Sequence, residues 1–188
     1  QKLQVQIRCI RDSYWLTQQH MNLKIFVDQK HPHRLFVVHQ RKPCFFILID
    51  NLRYDQWKVL EPILSDWFKV EEESTFCSIL PTATQYSRNS IFSGLSPLEL
   101  SKRFPHLWKN DHEEGGKNLH EEEFLNDYMQ RSGMGAKKVA YHKVVQQQYG
   151  AKLVDQFNQL IRNDLNVIVY NFVDMLSHAK TEMDMIRE

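Results

Sequence analysis

The stretch that decides the fold is CFFILI at residues 44–49, a continuous apolar run that stops abruptly at Asp50. An unbroken apolar run indicates a strand buried on both faces, which is typical of a parallel sheet covered by helices. A second, nearly continuous run, VIVYNFV at residues 167–173, ends at Asp174. Both runs are therefore predicted to be central parallel strands of one sheet.

Helical patterns alternate with strand-like segments after Pro43, which predicts an α/β fold with a mostly parallel sheet covered by helices. Residues 1–41 are rich in Gln, His and Arg and keep no long period. There the pattern suggests only a short helix near residues 13–19 and a strand near residues 35–39. We therefore predict an N-terminal linker or helical extension over residues 1–42 and an α/β domain over residues 43–188.

The composition excludes several classes of protein. Hydrophobic residues make up 42% of the 188, enough for a sizeable core, and 24 Lys and Arg balance 23 Asp and Glu. Such a balance carries no strong field for nucleic acid or an anionic membrane, and no stretch reaches the ~18 apolar residues of a membrane span. The three cysteines show no CxxC spacing, which is typical of reduced thiols in a cytoplasmic protein.

Asp50 and Asp174 are the first candidate site residues, because each follows one of the two strongest strands. Ligands of open parallel sheets gather at the carboxyl ends of the strands. Two carboxylates delivered to that edge repel each other unless a cation lies between them. The alternative is that each aspartate only caps the helix that follows it.

His178 lies four residues after Asp174, a spacing that brings both side chains to one side of a helix or turn. A carboxylate with an imidazole is a donor pair suited to zinc. The alternative is a solvated histidine near the start of a helix.

Thr84 is the candidate nucleophile, since it lies at a strand-to-helix turn in the segment PTATQYSRN, residues 81–89. The free N–H groups of a helix N-terminus favour anions such as phosphate. An ordinary N-cap threonine occupies the same position, and that alternative stays open. The rival hydroxyls are those of Thr82, Ser87 and Ser90.

Three blocks of the sequence together resemble the PglZ domain of the alkaline-phosphatase superfamily. They are FFILIDNLR at 45–53, PTATQYSRN at 81–89 running on to SGL at 93–95, and YNFVDMLSH at 170–178. Within that family they are most similar to the output domains of PorX-type response regulators, two-component proteins linked to type IX secretion. The resemblance identifies residues 43–188 as the N-terminal part of such a domain.

The resemblance implies a two-zinc site and a role for each candidate. Asp50 and Thr84 would bind one metal, and Asp174 and His178 the other. Thr84 would also be the nucleophile that attacks phosphorus, with zinc lowering the pKa of its hydroxyl and stabilising the leaving oxygen. The helix amides after Thr84, helped by Asn89 or Arg88, would hold the non-bridging oxygens of the substrate.

The family takes further Asp and His ligands from strands after the Asp-x-x-x-His block, and this sequence ends at Glu188. We therefore expect the zinc ligands within the chain to be incomplete, with weak metal binding and poor catalysis. The partners implied are a phosphoester of nucleotide type, an upstream receiver domain, a sigma factor or sensor kinase, and a second copy in a homodimer.

Two function classes remain open. One is a zinc-dependent phosphodiesterase or phosphatase, and the other is a non-catalytic signalling or dimerisation module that keeps the phosphatase fold.

Overall fold

The computed structural model describes residues 3–11, 23–24, 43–77, 83–171 and 174–175, with only the backbone at 3–11, 23–24, 69, 71–72, 74–77 and 84. The expected helix near residues 13–19 and strand near 35–39 lie outside the described residues. The chain divides into two compact units. The sheet unit contains the described residues 3–11, 23–24, 43–77, 138–171 and 174–175, and the helical unit contains residues 83–137.

The described residues of the sheet unit form six strands in the order β4-β1-β2-β3-β6-β5. Three neighbouring pairs, β1 with β4, β3 with β6 and β5 with β6, run parallel, and the two pairs made by β2 are antiparallel. The predicted fold class, a mostly parallel α/β sheet, is confirmed. The strands are β1 Leu3–Arg11, β2 Leu23–Lys24, β3 Cys44–Ile49, β4 Phe68–Cys77, β5 Val139–Val144 and β6 Leu165–Tyr170.

The two apolar runs form the neighbouring inner strands β3 and β6, as predicted. They pair in parallel from Cys44 beside Leu165 to Ile49 beside Tyr170. Fully buried side chains alternate along the middle of both strands, which places the densest part of the core on one face of the sheet. The other face is partly buried, since the ring of Phe45 stacks on that of Phe157. The core side chains of the two strands are Phe46, Leu48, Leu165, Val167 and Val169.

Three helices belong to the sheet unit: α1 Tyr54–Ser65, α5 Gln147–Asp155 and α6 Phe157–Leu160. Helix α1 buries Trp57 and is tied to β4 through Glu73. The Tyr54 hydroxyl donates to Glu73 Oε1 at 2.7 Å, and the Lys58 ammonium donates to Glu73 Oε2 at 2.8 Å.

The strand β6 is shorter than the sequence predicts, because it ends at Tyr170 rather than at residue 173. The chain turns directly afterwards. The Asn171 N–H donates to Val144 O at 2.9 Å, and the Met175 N–H donates to Asn171 O at 3.1 Å in a helical turn at residues 174–175. Asp174 therefore lies four residues beyond the end of the strand.

The helical unit consists of α2 Thr84–Ser93, α3 Pro97–Arg103 and α4 Glu121–Arg131. Local sequence explains each boundary: Gly94 ends α2 in the left-handed conformation at φ 63°, and Ser96 caps α3 reciprocally with Glu99. Packing between the helices is dominated by large side chains, among which the rings of Phe104 and Phe124 lie 5.2 Å apart. The fully buried members are Phe92, Leu100, Phe124 and Leu125.

Strand β1 lies within the segment that the sequence analysis assigned to an N-terminal extension. It pairs in parallel with β4 along its whole length. The sequence analysis did not predict this strand, and the domain division at residue 43 stays a prediction.

Candidate functional site

Asp50 lies at the carboxyl end of β3, one residue after the strand. Its backbone N–H donates to Tyr170 O at 3.0 Å, which extends the pairing of β3 with β6 by one step. Asn51 then takes the left-handed conformation at φ 62°, which is uncommon outside glycine but tolerated by asparagine. The half-buried Asp50 side chain is therefore fixed at the point where the chain turns sharply away from the sheet.

Asp50 does not cap the helix that follows it. The N-cap of α1 is Arg53, whose backbone N–H donates to Gln56 Oε1 at 2.9 Å. The interpretation of Asp50 as the N-cap residue is thus wrong, because the N-cap position lies three positions further along the chain.

Asp174 lies near the same edge of the sheet, in the helical turn that follows β6. Its side chain is half-buried. Since β3 and β6 are hydrogen-bonded neighbours in parallel register, Asp50 and Asp174 both follow the carboxyl ends of adjacent strands. His178, which was predicted to bind metal together with Asp174, lies outside the described residues.

Within the described part of the chain, no three His, Cys, Asp or Glu side chains lie close enough together to hold a metal ion. The described donors at the strand edge are therefore the pair Asp50 and Asp174. Carboxylate oxygens are ligands of zinc and of harder divalent cations. Each of the two carboxylates is a suitable ligand for a divalent cation, and each needs donors from elsewhere to complete a ligand shell.

Thr84 is the first residue of α2. The N-cap is Ala83, in extended conformation, whose carbonyl oxygen accepts from the N–H groups of Tyr86 and Ser87. Thr84 is therefore not the N-cap residue, and its alternative interpretation as an ordinary N-cap threonine is wrong. It lies in the first turn, where N–H groups have no acceptor within the helix and attract anions. The Thr84 side chain is not among the described side chains.

The family model of the BREX system PglZ alkaline phosphatase-like domain matches residues 26–188. The chain belongs to the PglZ family. An alkaline-phosphatase-like fold is thereby shown for the larger part of the chain, and the match begins before the boundary predicted at residue 43. No curated protein matches the chain. Among the described residues, no helix has the length and apolar character needed to cross a membrane.

In this PglZ chain, Arg88 and Asn89 are buried inside the helical unit. The Arg88 guanidinium forms a two-point pair with Glu121, with Nε–Oε1 at 2.5 Å and Nη2–Oε2 at 2.8 Å. Only 4% and 1% of the two side chains are exposed, so the pair is almost fully removed from water. The Asn89 amide donates to Lys117 O at 2.9 Å, while its Oδ1 is buried without a described partner.

The substrate-binding roles of Arg88 and Asn89 stay predictions. The sequence does not single out Glu121, because the EEE run at residues 121–123 indicates a helix start without showing which carboxylate turns inward. The burial of Arg88, which only the structure shows, would have indicated a carboxylate partner, because a buried charge is costly unless it is paired.

The rival hydroxyls have other surroundings. The Ser87 hydroxyl donates back to Ala83 O at 3.3 Å, in the manner of a helical serine. The Ser90 hydroxyl is buried and has no described partner. Thr82 lies outside the described residues.

A second charged cluster of the PglZ chain joins α3 to α4. Asp127 accepts from Arg103 Nε at 3.0 Å and from Arg131 Nε at 2.6 Å. Burial raises the pKa of Asp127, but the hydrogen bonds from Arg103 and Arg131 outweigh it and hold this pKa below its ordinary value of 3.8. Stability from a depressed carboxylate pKa is present above the unfolded pKa and is lost as the pH falls through the folded pKa.

The Asp127→Asn variant is therefore expected to be less sensitive to acid than the parent protein. Urea unfolding at pH 6 and pH 3 should show a smaller difference in the free energy of unfolding in the variant. Glu122→Gln, which removes an exposed acid from the same helix, is the matched control. An unchanged pH dependence in Asp127→Asn would contradict the assignment.

Proposed function

We propose that this PglZ chain is part of a zinc-dependent phosphohydrolase of phosphodiesterase type, with Thr84 as its nucleophile. The observation that carries the proposal is the placement of Asp50 and Asp174 after adjacent, parallel inner strands, where Asp50 is not the N-cap residue of the next helix. Placing two acids at the ligand-binding edge of a sheet is costly unless a cation compensates their charges. Membership of an alkaline-phosphatase-like family supports the same chemistry.

The candidate residues of this chain would have the following roles. Asp50 and Thr84 would hold one zinc, and Asp174 and His178 the other; when bound, the metal supplies charge stabilisation and a lowered hydroxyl pKa. The Thr84 oxygen attacks phosphorus, its proton leaves to water, and the bond from phosphorus to the leaving oxygen breaks. Water then hydrolyses the phosphothreonine and restores the hydroxyl. The position of Thr84 in the first turn of α2 supports this role, because N–H groups there stabilise phosphoryl oxygens.

The regulatory setting is proposed from the resemblance alone. It comprises the output domain of a PorX-type response regulator in the cytoplasm, a receiver domain upstream, and a sensor kinase or sigma factor as partner. The substrate class proposed is a phosphoester, with nucleotide-type esters as the first to be assayed.

A second candidate function is a non-catalytic signalling or dimerisation module. Exposed apolar side chains on and just after α1 favour it, because Val59 and Ile63 lie one helical turn apart on α1, Trp67 lies in the turn that follows the helix, and the three are 70%, 63% and 71% exposed. Large exposed apolar patches mark interaction surfaces in soluble proteins. In this candidate any bound metal is structural, so zinc-dependent hydrolysis that Thr84→Ala removes separates the two candidates.

Zinc titration by calorimetry tests the proposal. The Asp50→Asn variant is expected to bind zinc about tenfold more weakly or worse than the parent chain, because it loses a charged ligand. Asp155→Asn is the matched control, since it removes one exposed carboxylate from the same unit and should leave zinc affinity unchanged. Equal zinc affinity in Asp50→Asn and the parent would favour the non-catalytic module.

A further inference from the structure

The connection between α3 and α4 contains a long loop that is closed around a lysine. We call residues 108–118 the 108–118 loop. The Lys117 ammonium donates to the carbonyl oxygens of Asn110 at 2.5 Å and Asp111 at 3.2 Å, and also to that of Glu113. An ammonium group has three donors, so three loop carbonyls account for its full donor capacity. The loop is therefore an ordered structure with an internal cation, and long ordered loops of this kind are commonly functional.

Additional bonds hold the loop from both sides of this lysine. The Asn110 N–H donates to Glu113 Oε2 at 2.5 Å, and the Lys109 ammonium donates to Glu114 O at 2.7 Å. Asp111 thus lies in the most heavily bonded part of the loop, and its backbone position is fixed by its neighbours.

The 108–118 loop is attached to the first half of α2. The Asp111 carboxylate accepts from Gln85 Nε2 with one oxygen and from the Tyr86 hydroxyl with the other, the latter at 3.2 Å. Gln85 is buried, and the rings of Tyr86 and Trp108 lie 5.8 Å apart. Burial and the hydrogen bond to Asp111 both raise the pKa of Tyr86, so its hydroxyl stays a donor at neutral pH.

The two α2 residues that Asp111 binds directly follow Thr84 in the chain. All three belong to the first turn of the helix, which starts at Thr84 and is the part of a helix most prone to fraying. A carboxylate that restrains Gln85 and Tyr86 together also restrains the backbone of Thr84. Since a misplacement of about 1 Å at a reacting group costs on the order of 100-fold in rate, such a restraint has catalytic value.

We propose that Asp111 is a positioning residue for the reaction at Thr84, and that the 108–118 loop exists to hold it against the first turn of α2. This inference rests on the proposed function. In the proposed reaction, Asp111 contacts neither the substrate nor the metal. The carboxylate acts through its hydrogen bonds to Gln85 and Tyr86. The positions of its two hydrogen-bonding atoms therefore matter, and its negative charge does not.

Two substitutions at Asp111 separate shape from charge. Asp111→Ala removes both hydrogen bonds to α2. Asp111→Asn removes the charge but can keep both bonds, because its Oδ1 accepts from Gln85 and its Nδ2 donates to the Tyr86 hydroxyl. Glu114→Ala removes an exposed acid from the same loop and is the matched control.

The experiment measures zinc-dependent hydrolysis of a nitrophenyl phosphodiester and, by NMR, hydrogen exchange of the Tyr86 and Ser87 amides. In Asp111→Ala we expect kcat to fall about tenfold or more with KM within about twofold, and both amides to exchange faster. Asp111→Asn should restore both readouts, and Glu114→Ala should change neither.

Results other than these would contradict either the positioning role of Asp111 or the proposed function. If Thr84→Ala abolishes hydrolysis while Asp111→Ala leaves kcat or the amide exchange unchanged, the positioning role is wrong and the proposed function stands. If Asp111→Asn is as slow as Asp111→Ala, the carboxylate acts by charge and the positioning role is again wrong. If the parent chain shows no zinc-dependent hydrolysis that Thr84→Ala removes, the proposed function fails and the positioning role fails with it.

Discussion

Replacing Thr84 with alanine is expected to reduce zinc-dependent phosphoester hydrolysis to the rate measured without protein, a loss on the order of 100-fold or more. The reason is that alanine leaves no oxygen to attack phosphorus. The helix itself should tolerate the change, since Thr84 is the first helical residue of α2 and is not its N-cap, and alanine is the better helix former. Thermal unfolding of the variant should therefore match that of the parent.

Two controls make the Thr84 result specific. Thr84→Ser keeps a hydroxyl at the same position and is expected to retain measurable activity. Ser87→Ala removes a neighbouring hydroxyl that bonds back to Ala83 O, and its rate is expected to equal that of the parent. Hydrolysis that survives in Thr84→Ala, or disappears in Ser87→Ala, would show that Thr84 is not the nucleophile.

Breaking the buried pair of Arg88 and Glu121 is expected to have the largest effect on stability. Removing one member leaves the other charge buried without its ion-pair partner, which costs about 3–5 kcal/mol. Arg88→Ala should lower the free energy of unfolding by that amount in urea titrations. Arg103→Ala, which breaks a pair whose arginine is 46% exposed, should cost only about 0–1 kcal/mol.

The double variant Arg88→Met with Glu121→Leu adds a further test of the same pair. Because both charges are replaced by apolar groups, it should recover most of the stability that Arg88→Ala loses. A cost for Arg88→Ala no larger than that of Arg103→Ala would contradict the burial of the pair. Such a result would also be consistent with the substrate-binding role that the sequence predicts for Arg88.

Much of the fold could be predicted because local signals coincide with global ones. The apolar runs at residues 44–49 and 167–173 became the inner strands β3 and β6, although β6 ends three residues early. Gly94 and the pair Ser96 and Glu99 fixed helix boundaries through chemistry that acts within one turn.

Strand β1 has an alternating sequence pattern that could have been recognised as a strand. Leu3, Val5, Ile7 and Cys9 alternate with polar residues, which is the period of a half-buried strand. Scattered charges in the N-terminal segment hid this short signal. The pairing of β1 with β4, whose partners lie more than 60 positions apart in sequence, depends on long-range contacts that no local pattern encodes.

The positions of the candidate residues were predicted from local patterns: the ends of two apolar runs pointed to Asp50 and Asp174, and a strand-to-helix turn pointed to Thr84. Their roles in a site stay predictions. By contrast, the partner of Arg88 lies 33 residues away and Asp111 lies 25 residues from Tyr86, so both contacts arise only when the helices pack. Side-chain pairing between elements is set by tertiary structure, which the hydrophobic periodicity of the sequence does not predict.

Anomalous scattering at the zinc edge, from crystals of this protein soaked in zinc, tests the central claim most directly. We expect one anomalous peak at the Asp50 carboxylate and another at the Asp174 carboxylate, each at a zinc–oxygen distance of about 2.0–2.2 Å. Crystals soaked at a zinc concentration that saturates the calorimetric titration, yet without a peak at either aspartate, would contradict the account.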